Sequence, residues 1–148
     1  MFECFEAYIT SYAEFTKEEL KYMRSLATEK KLRRRQMLLK EGEVCRHKVF
    51  VAKGLLRTYS LKDDGTEYIL RFTPENNCTI VHHSYNNQVP SKYNIDALEE
   101  TVIVMWTRED FEEIMTAIPN LRLFAERLKE SNMDAKPGKD HDEYQLYC

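Results

Sequence analysis

Three of the chain's four glycines, Gly42, Gly54 and Gly65, stand 12 and 11 residues apart and cut residues 41–72 into β-rich pieces of near-equal length. The punctuation reads Glu41-Gly42-Glu43, then Lys53-Gly54-Leu55-Leu56-Arg57, then Asp63-Asp64-Gly65. Glycine takes positive φ without steric cost, which suits it to corners between short antiparallel strands. Several short strands at this spacing, with turn signals between them, indicate a β-sandwich or roll.

The remaining composition sets bounds. A chain of 148 residues, 43% apolar and 32% charged, is long enough for one domain with a buried core. No apolar run approaches the roughly 20 residues of a membrane span. The start, Met1-Phe2-Glu3-Cys4, lacks the basic and apolar regions of a signal peptide, so a cytoplasmic protein is expected. Cys4, Cys45, Cys78 and Cys148 are scattered without a CxxC pair, which suggests free thiols in a reducing compartment. Charge is uneven: residues 17–48 carry eleven Lys/Arg against five Asp/Glu, densest at Lys30-Lys31-Leu32-Arg33-Arg34-Arg35. Such a run can mark nucleic-acid contact. In an alternating strand it reads better as a solvated edge, where lysine and arginine discourage edge-to-edge pairing.

Helical spacing opens the chain, with Phe2, Phe5, Ile9 and Tyr12 on one face. Thr16-Lys17-Glu18-Glu19 has the form of a capping box, flanked by Phe15 and Leu20, and predicts a second helix over 17–27. From 29 to 106 the pattern changes to strands, at 38–39, 49–51, 55–61, 68–72, 93–98 and 102–106, with 76–91 polar and irregular. Thr107-Arg108-Glu109-Asp110 then suits a helix N-terminus, Phe111, Ile114 and Met115 supply its apolar face, and Pro119 breaks it. A last helix is expected from Asn120 to about residue 135, fading before Lys136-Pro137-Gly138. The expected organisation is α+β: a jelly roll or double-stranded β-helix over 29–106, N-terminal helices over 1–27, C-terminal helices over 107–135 and a disordered tail over 136–148.

That order, with Lys40-Glu41-Gly42-Glu43, Val49 to Tyr59, Asp64-Gly65-Thr66-Glu67 and Asp96-Ala97-Leu98-Glu99-Glu100-Thr101 to Phe111, resembles the cyclic-nucleotide-binding sensor domain of Crp/Fnr-type transcription regulators. The resemblance covers nearly all of the chain to about residue 135. It implies that Gly42, Gly54 and Gly65 are structural turns. It also implies a homodimer through residues 120–135, with Leu121, Phe124 and Leu128 on the seam. Regulators of this type carry a DNA-binding domain beyond that helix, and the sequence stops about where it should begin. The chain alone is therefore expected not to bind operator DNA, and no membrane role is expected. The alternative is a stand-alone interaction module of the same fold without a DNA role.

The ligand cassette departs from the pattern. Relatives that bind cyclic nucleotides carry Gly-Glu followed about ten residues later by Arg-Ser or Arg-Thr, so that arginine and backbone amides hold the cyclic phosphate and glutamate accepts from the ribose. Here Ile80-Val81 and Ser91-Lys92 fall at those places. No cofactor is expected, cyclic nucleotide included, although an unknown small effector fits a sensor. Arg57, Tyr59, Tyr68, Arg71, Val81, Ser91 and Lys92 are the candidate pocket residues. Adjacent His82 and His83 raise a third reading, a cupin-like metalloprotein. On a strand, however, neighbours point to opposite faces, so no metal site is expected. Glu109, Asp110, Glu112 and Glu113 read as the solvated start of a helix, and no catalytic residue or enzyme activity is assigned.

Overall fold

The computed structural model describes residues 1–126. Its elements are α1 (Phe2–Thr10), α2 (Lys17–Leu26), β1 (Thr28–Leu32), β2 (Met37–Leu39), β3 (His47–Lys53), β4 (Leu55–Leu61), β5 (Glu67–Pro74), β6 (Cys78–Thr79), α3 (His82–Asn87), β7 (Asn94–Ala97), β8 (Thr101–Thr107) and α4 (Arg108–Ala117). Helical residues 119–126, called α5, close the described part, with Pro119 in the first turn where its missing N–H costs nothing. The strands form two four-stranded antiparallel sheets, ordered β1-β8-β3-β6 and β2-β7-β4-β5. This is the expected jelly roll.

The first sheet is buried on both faces. Val49, Val51 and Ile103 belong to a core shared with Leu39, Leu56, Ile95 and Ala97 of the second sheet. Their neighbours Phe50, Val104 and Trp106 join the other core, with Phe2, Phe5, Ile9, Met23, Phe111 and Ile114 of the helices. Alternation along β3 and β8 therefore serves two cores, and both strands read as continuous apolar runs. The Trp106 indole packs against Phe5, tilted by 57° with centroids 4.7 Å apart, and donates from Nε1 to the Met23 carbonyl at 2.9 Å. That bond ties α2 to the sheet.

Local signals place the helices. The Glu19 amide donates to Thr16 Oγ1 at 3.0 Å, and the Thr16 amide donates to Glu19 Oε1 at 2.9 Å, completing the capping box. Thr107 caps α4 by accepting from the Asp110 amide at 3.1 Å. The basic run begins on β1, the solvated edge the sequence suggests, with Lys30 and Lys31 exposed. Two elements differ from the sequence reading. The segment 76–91 contains β6 and α3 rather than an irregular stretch. Leu121 is only 1% exposed and Phe124 is also buried, its ring 5.9 Å from Tyr8, so both face their own core instead of a partner. Leu123 is the exposed apolar residue of α5, at 47%. Leu128, residues 127–135 and the tail 136–148 lie outside the described residues.

Gly54 occupies the tightest corner. There β3 leaves the first sheet for β4 of the second, against the place where β7 returns to β8. At φ +105° its added Cβ would lie 2.5 Å from Thr101 Oγ1 and 2.7 Å from the Glu100 carbonyl oxygen. Gly42 and Gly65 also have positive φ, but open space surrounds them. Gly54→Ala should therefore cost about 3 kcal/mol or more, combining backbone strain with overpacking. Gly65→Ala should cost about 1 kcal/mol, the strain alone. Urea unfolding of the two variants checks this, and equal losses would contradict it.

Candidate functional site

A cavity of about 470 Å³ lies between the sheets, lined from β1, β2, β3, β6, β7 and β8 and from the loop before β3. Leu38, Leu39, Val44, Val49, Ile80, Ile95 and Met105 give it apolar walls, while Lys30, Glu43, Cys45, Arg46, His47 and Thr79 add polar groups. Register explains how they meet. Lys30 pairs with Ile103 and His47 lies two residues before Val49, so both share the inner face of their sheet.

Hydrogen bonds fix the rim. The Gly42 amide donates to the Ser91 carbonyl at 2.8 Å, and the Ser91 amide donates to the Glu43 carbonyl at 2.8 Å. The Cys45 amide donates to Ser84 Oγ at 2.8 Å, and Gln88 Nε2 donates to the Cys45 carbonyl at 3.2 Å. The loop before β3 is thus clamped to α3 and the segment after it. One Glu43 oxygen is taken up by the Lys40 amide at 2.7 Å. Lys30 and Arg46 make no side-chain ion pair among the described residues.

Electrostatics at the rim follow from this packing. Burial lowers the pKa of His47 below the ordinary imidazole value, Lys30 and Arg46 lower it further, and Glu109 opposes them. Burial also pushes the Cys45 thiol up, which makes it a poor nucleophile. On the other face of the sheet, Lys48 sits 4.5 Å above the Phe111 ring, and desolvation lowers its pKa to about 8.

The seven pocket residues expected from the sequence separate into groups, and none of them lines this cavity. Arg57 and Tyr59 lie on the outer face of β4, because they alternate with Leu56 and Thr58, which pair with the core residues Ala97 and Ile95. Arg57 is nevertheless only 8% exposed. Its Nε and Nη2 donate to the two Asp96 oxygens at 3.0 and 2.8 Å, Nη1 donates to Glu67 at 2.8 Å, and the Tyr59 ring covers it at 3.9 Å. These partners hold its pKa above the usual guanidinium value, the Asp96 hydrogen bond most of all. Tyr68 is 58% exposed.

Arg71 does point between the sheets. Its Nη2 donates to the Ile80 carbonyl and, at 3.4 Å, to Thr79 Oγ1. Val81 is buried immediately before α3. Ser91 is buried, with its hydroxyl donating to the Tyr93 carbonyl at 2.8 Å and accepting from the Tyr93 amide at 3.0 Å, while Lys92 is exposed. The structure thus gathers Arg71, Ile80 and Val81 but leaves Arg57, Tyr59 and Lys92 elsewhere.

His82 and His83 begin a helix instead of lying in a loop, and each contacts an asparagine four residues on, at 2.9 and 3.0 Å. Among the described residues no three His, Cys, Asp or Glu side chains gather as metal ligands. Cys4 and Cys45 are free thiols, Cys4 exposed and Cys45 buried. No described helix is long and apolar enough to cross a membrane.

The molecule is thus an eight-stranded roll with a cavity between its sheets and a short helix between β6 and β7. The sequence model for the cyclic nucleotide-binding domain matches residues 29–117, and the chain belongs to that family. Solved structures agree on the fold. The catabolite activator protein of Thermus thermophilus superposes with TM-score 0.62 at 20% identity, over 84% of this chain and 60% of that one. The sensor domain of the transcriptional regulator DNR from Pseudomonas aeruginosa gives 0.69 at 13% identity, over 93% of each chain. The N-terminal domain of a transcriptional regulator from Streptomyces coelicolor A3(2) gives 0.61 at 19% identity, over 90% and 94%. The chain thus spans 60% of the activator's length but nearly all of the two isolated domains. No curated protein sequence matches significantly.

His47 yields a pH prediction. Its folded pKa lies below the unfolded value, so the unfolded chain binds the proton first as pH falls. Its contribution to stability is full above pH 6.5 and is lost as pH drops from there toward the folded pKa. Urea midpoints between about pH 7 and 5 should fall less in His47→Gln than in the parent. Parallel curves would rule out His47 as a source of the dependence.

Proposed function

We propose that this chain is the effector-sensing and dimerisation domain of a Crp/Fnr-type transcription regulator, and that its effector is not cyclic AMP. The observation that carries the second half is the internal use of the cassette. Arg71 donates to the Ile80 carbonyl, Val81 offers no carboxylate, and the Ser91 hydroxyl is engaged with Tyr93. A cyclic phosphate entering there would meet neither a free arginine fork nor a ribose acceptor. DNA recognition, in this reading, belongs to a domain other than the roll. Nothing in the role requires catalysis.

Cyclic AMP at about 1 mM should therefore leave the melting temperature unchanged to within about 1 °C, since only ligands that bind the native state raise it. A saturable rise of several degrees would reverse the reading of the cassette. Dimerisation is assigned to residues 120–135, with Leu123 as its exposed apolar contact among the described residues. Light scattering should find a dimer that Leu123→Glu converts to a monomer with little change in melting temperature. A parent chain that is monomeric at all concentrations would favour a stand-alone interaction module instead.

A further inference from the structure

We propose that the cavity between the sheets binds a small organic monoanion with an apolar body, of the medium-chain carboxylate class. The inference rests on the sensor reading above and names the ligand class of that sensor. Seven apolar residues, Val44 among them, form the walls, and the exposed Lys30, Glu43 and Arg46 stand at the rim. Lys30 and Arg46 contribute two positive charges, Glu43 one negative charge, and His47 is held toward its neutral form. The rim is left with one net positive charge, which a single carboxylate complements.

The chemistry of each rim group fits that head. Lysine and arginine donate charge-assisted hydrogen bonds, and a neutral imidazole donates one more without adding charge. Glu43 has one oxygen already held by the Lys40 amide, so it is fixed in the turn instead of closing over the cations. Size sets the body. At the ~30 Å³ that one water occupies in the liquid, 470 Å³ holds about fifteen non-hydrogen atoms. Octanoate to dodecanoate falls within that limit. The cavity borders the cassette: Ile80 belongs to both, and the Arg71 guanidinium donates to the Ile80 carbonyl.

The test is calorimetric titration and thermal shift of the purified chain with octanoate, decanoate and dodecanoate below their micelle concentrations. Acetate supplies the head without the body, and decanol the body without the charge. Saturable one-to-one binding of decanoate is expected, at least about tenfold tighter than either control, a difference of about 1.4 kcal/mol. The surface variant Lys30→Glu/Arg46→Glu should weaken it by a similar factor while keeping the parent's melting temperature without ligand. Equal binding of decanol, unsaturable uptake, or unchanged affinity in the double variant would each overturn the proposal. If a neutral or cationic effector from a metabolite panel stabilises the chain instead, the ligand class is wrong and the sensor reading survives. If no compound in the panel does so, both fail together.

Discussion

The contact between Gly54 and the Glu100–Thr101 backbone is the constraint on which the roll depends. Two crossings of the chain between sheets, β3 to β4 and β7 to β8, meet there face to face. No Cβ fits between them, and the corner also needs a positive φ. The Thr101 hydroxyl accepts from the Leu55 amide at 3.2 Å and donates to the Glu99 carbonyl at 2.9 Å, while the Leu98 amide donates to the Leu55 carbonyl at 3.0 Å. With both crossings locked together, the register of β4 on β7 and of β3 on β8 is set from one point. A slip by one residue would turn every inward side chain outward, which a buried sandwich cannot tolerate.

The same corner explains where the cavity lies. His47 and Val49 are at the far end of β3, Met105 is near the far end of β8, and Ile95 is at the start of β7. The sandwich is pinned at one end, and the cavity lies toward the other. Among the described helices, α1, α2 and α4 pack on the outer face of the first sheet, and α3 lies at this end. The remaining closure is the loop over 40–46, tied by hydrogen bonds to α3 and to Ser91.

How much of this was legible depends on parity. Strands that alternate around one clear apolar face, or whose turns carry glycine, could be read, and β4 was placed residue for residue. Capping residues gave both long-signal helices, α2 and α4. β1 was hard to see because only Leu32 of its five residues is buried, and β6 because it has two residues. The segment His82-His83-Ser84-Tyr85-Asn86-Asn87 has weak helix propensity and no side-chain cap. Burial of Ser84 and Tyr85 and the bond from Cys45 hold it helical. At the site, Leu55-Leu56 offers two apolar residues in a row, so the sequence does not say whether Arg57 points in or out. The register does: Leu56 pairs with Ala97 in the core, and Arg57 pairs with Asp96 outside it. His47 was more accessible, since His47, Val49 and Val51 share one period-two face.

The two-sided burial of the first sheet also links its cavity to its helices. Met105 lines the cavity from the inner face of β8, and its neighbours Val104 and Trp106 project into the helical core on the outer face. Trp106 contacts Phe2, Phe5 and Phe111 and is hydrogen-bonded to Met23 of α2. Interiors packed to this density shift as units instead of absorbing a displacement locally. A change of β8 at Met105 is therefore one residue from α1, α2 and α4. The same helical core contains Leu121 and Phe124 of α5, whose outer side exposes Leu123. A single strand thus borders both, with its inner residues at the cavity and its outer residues at the helices.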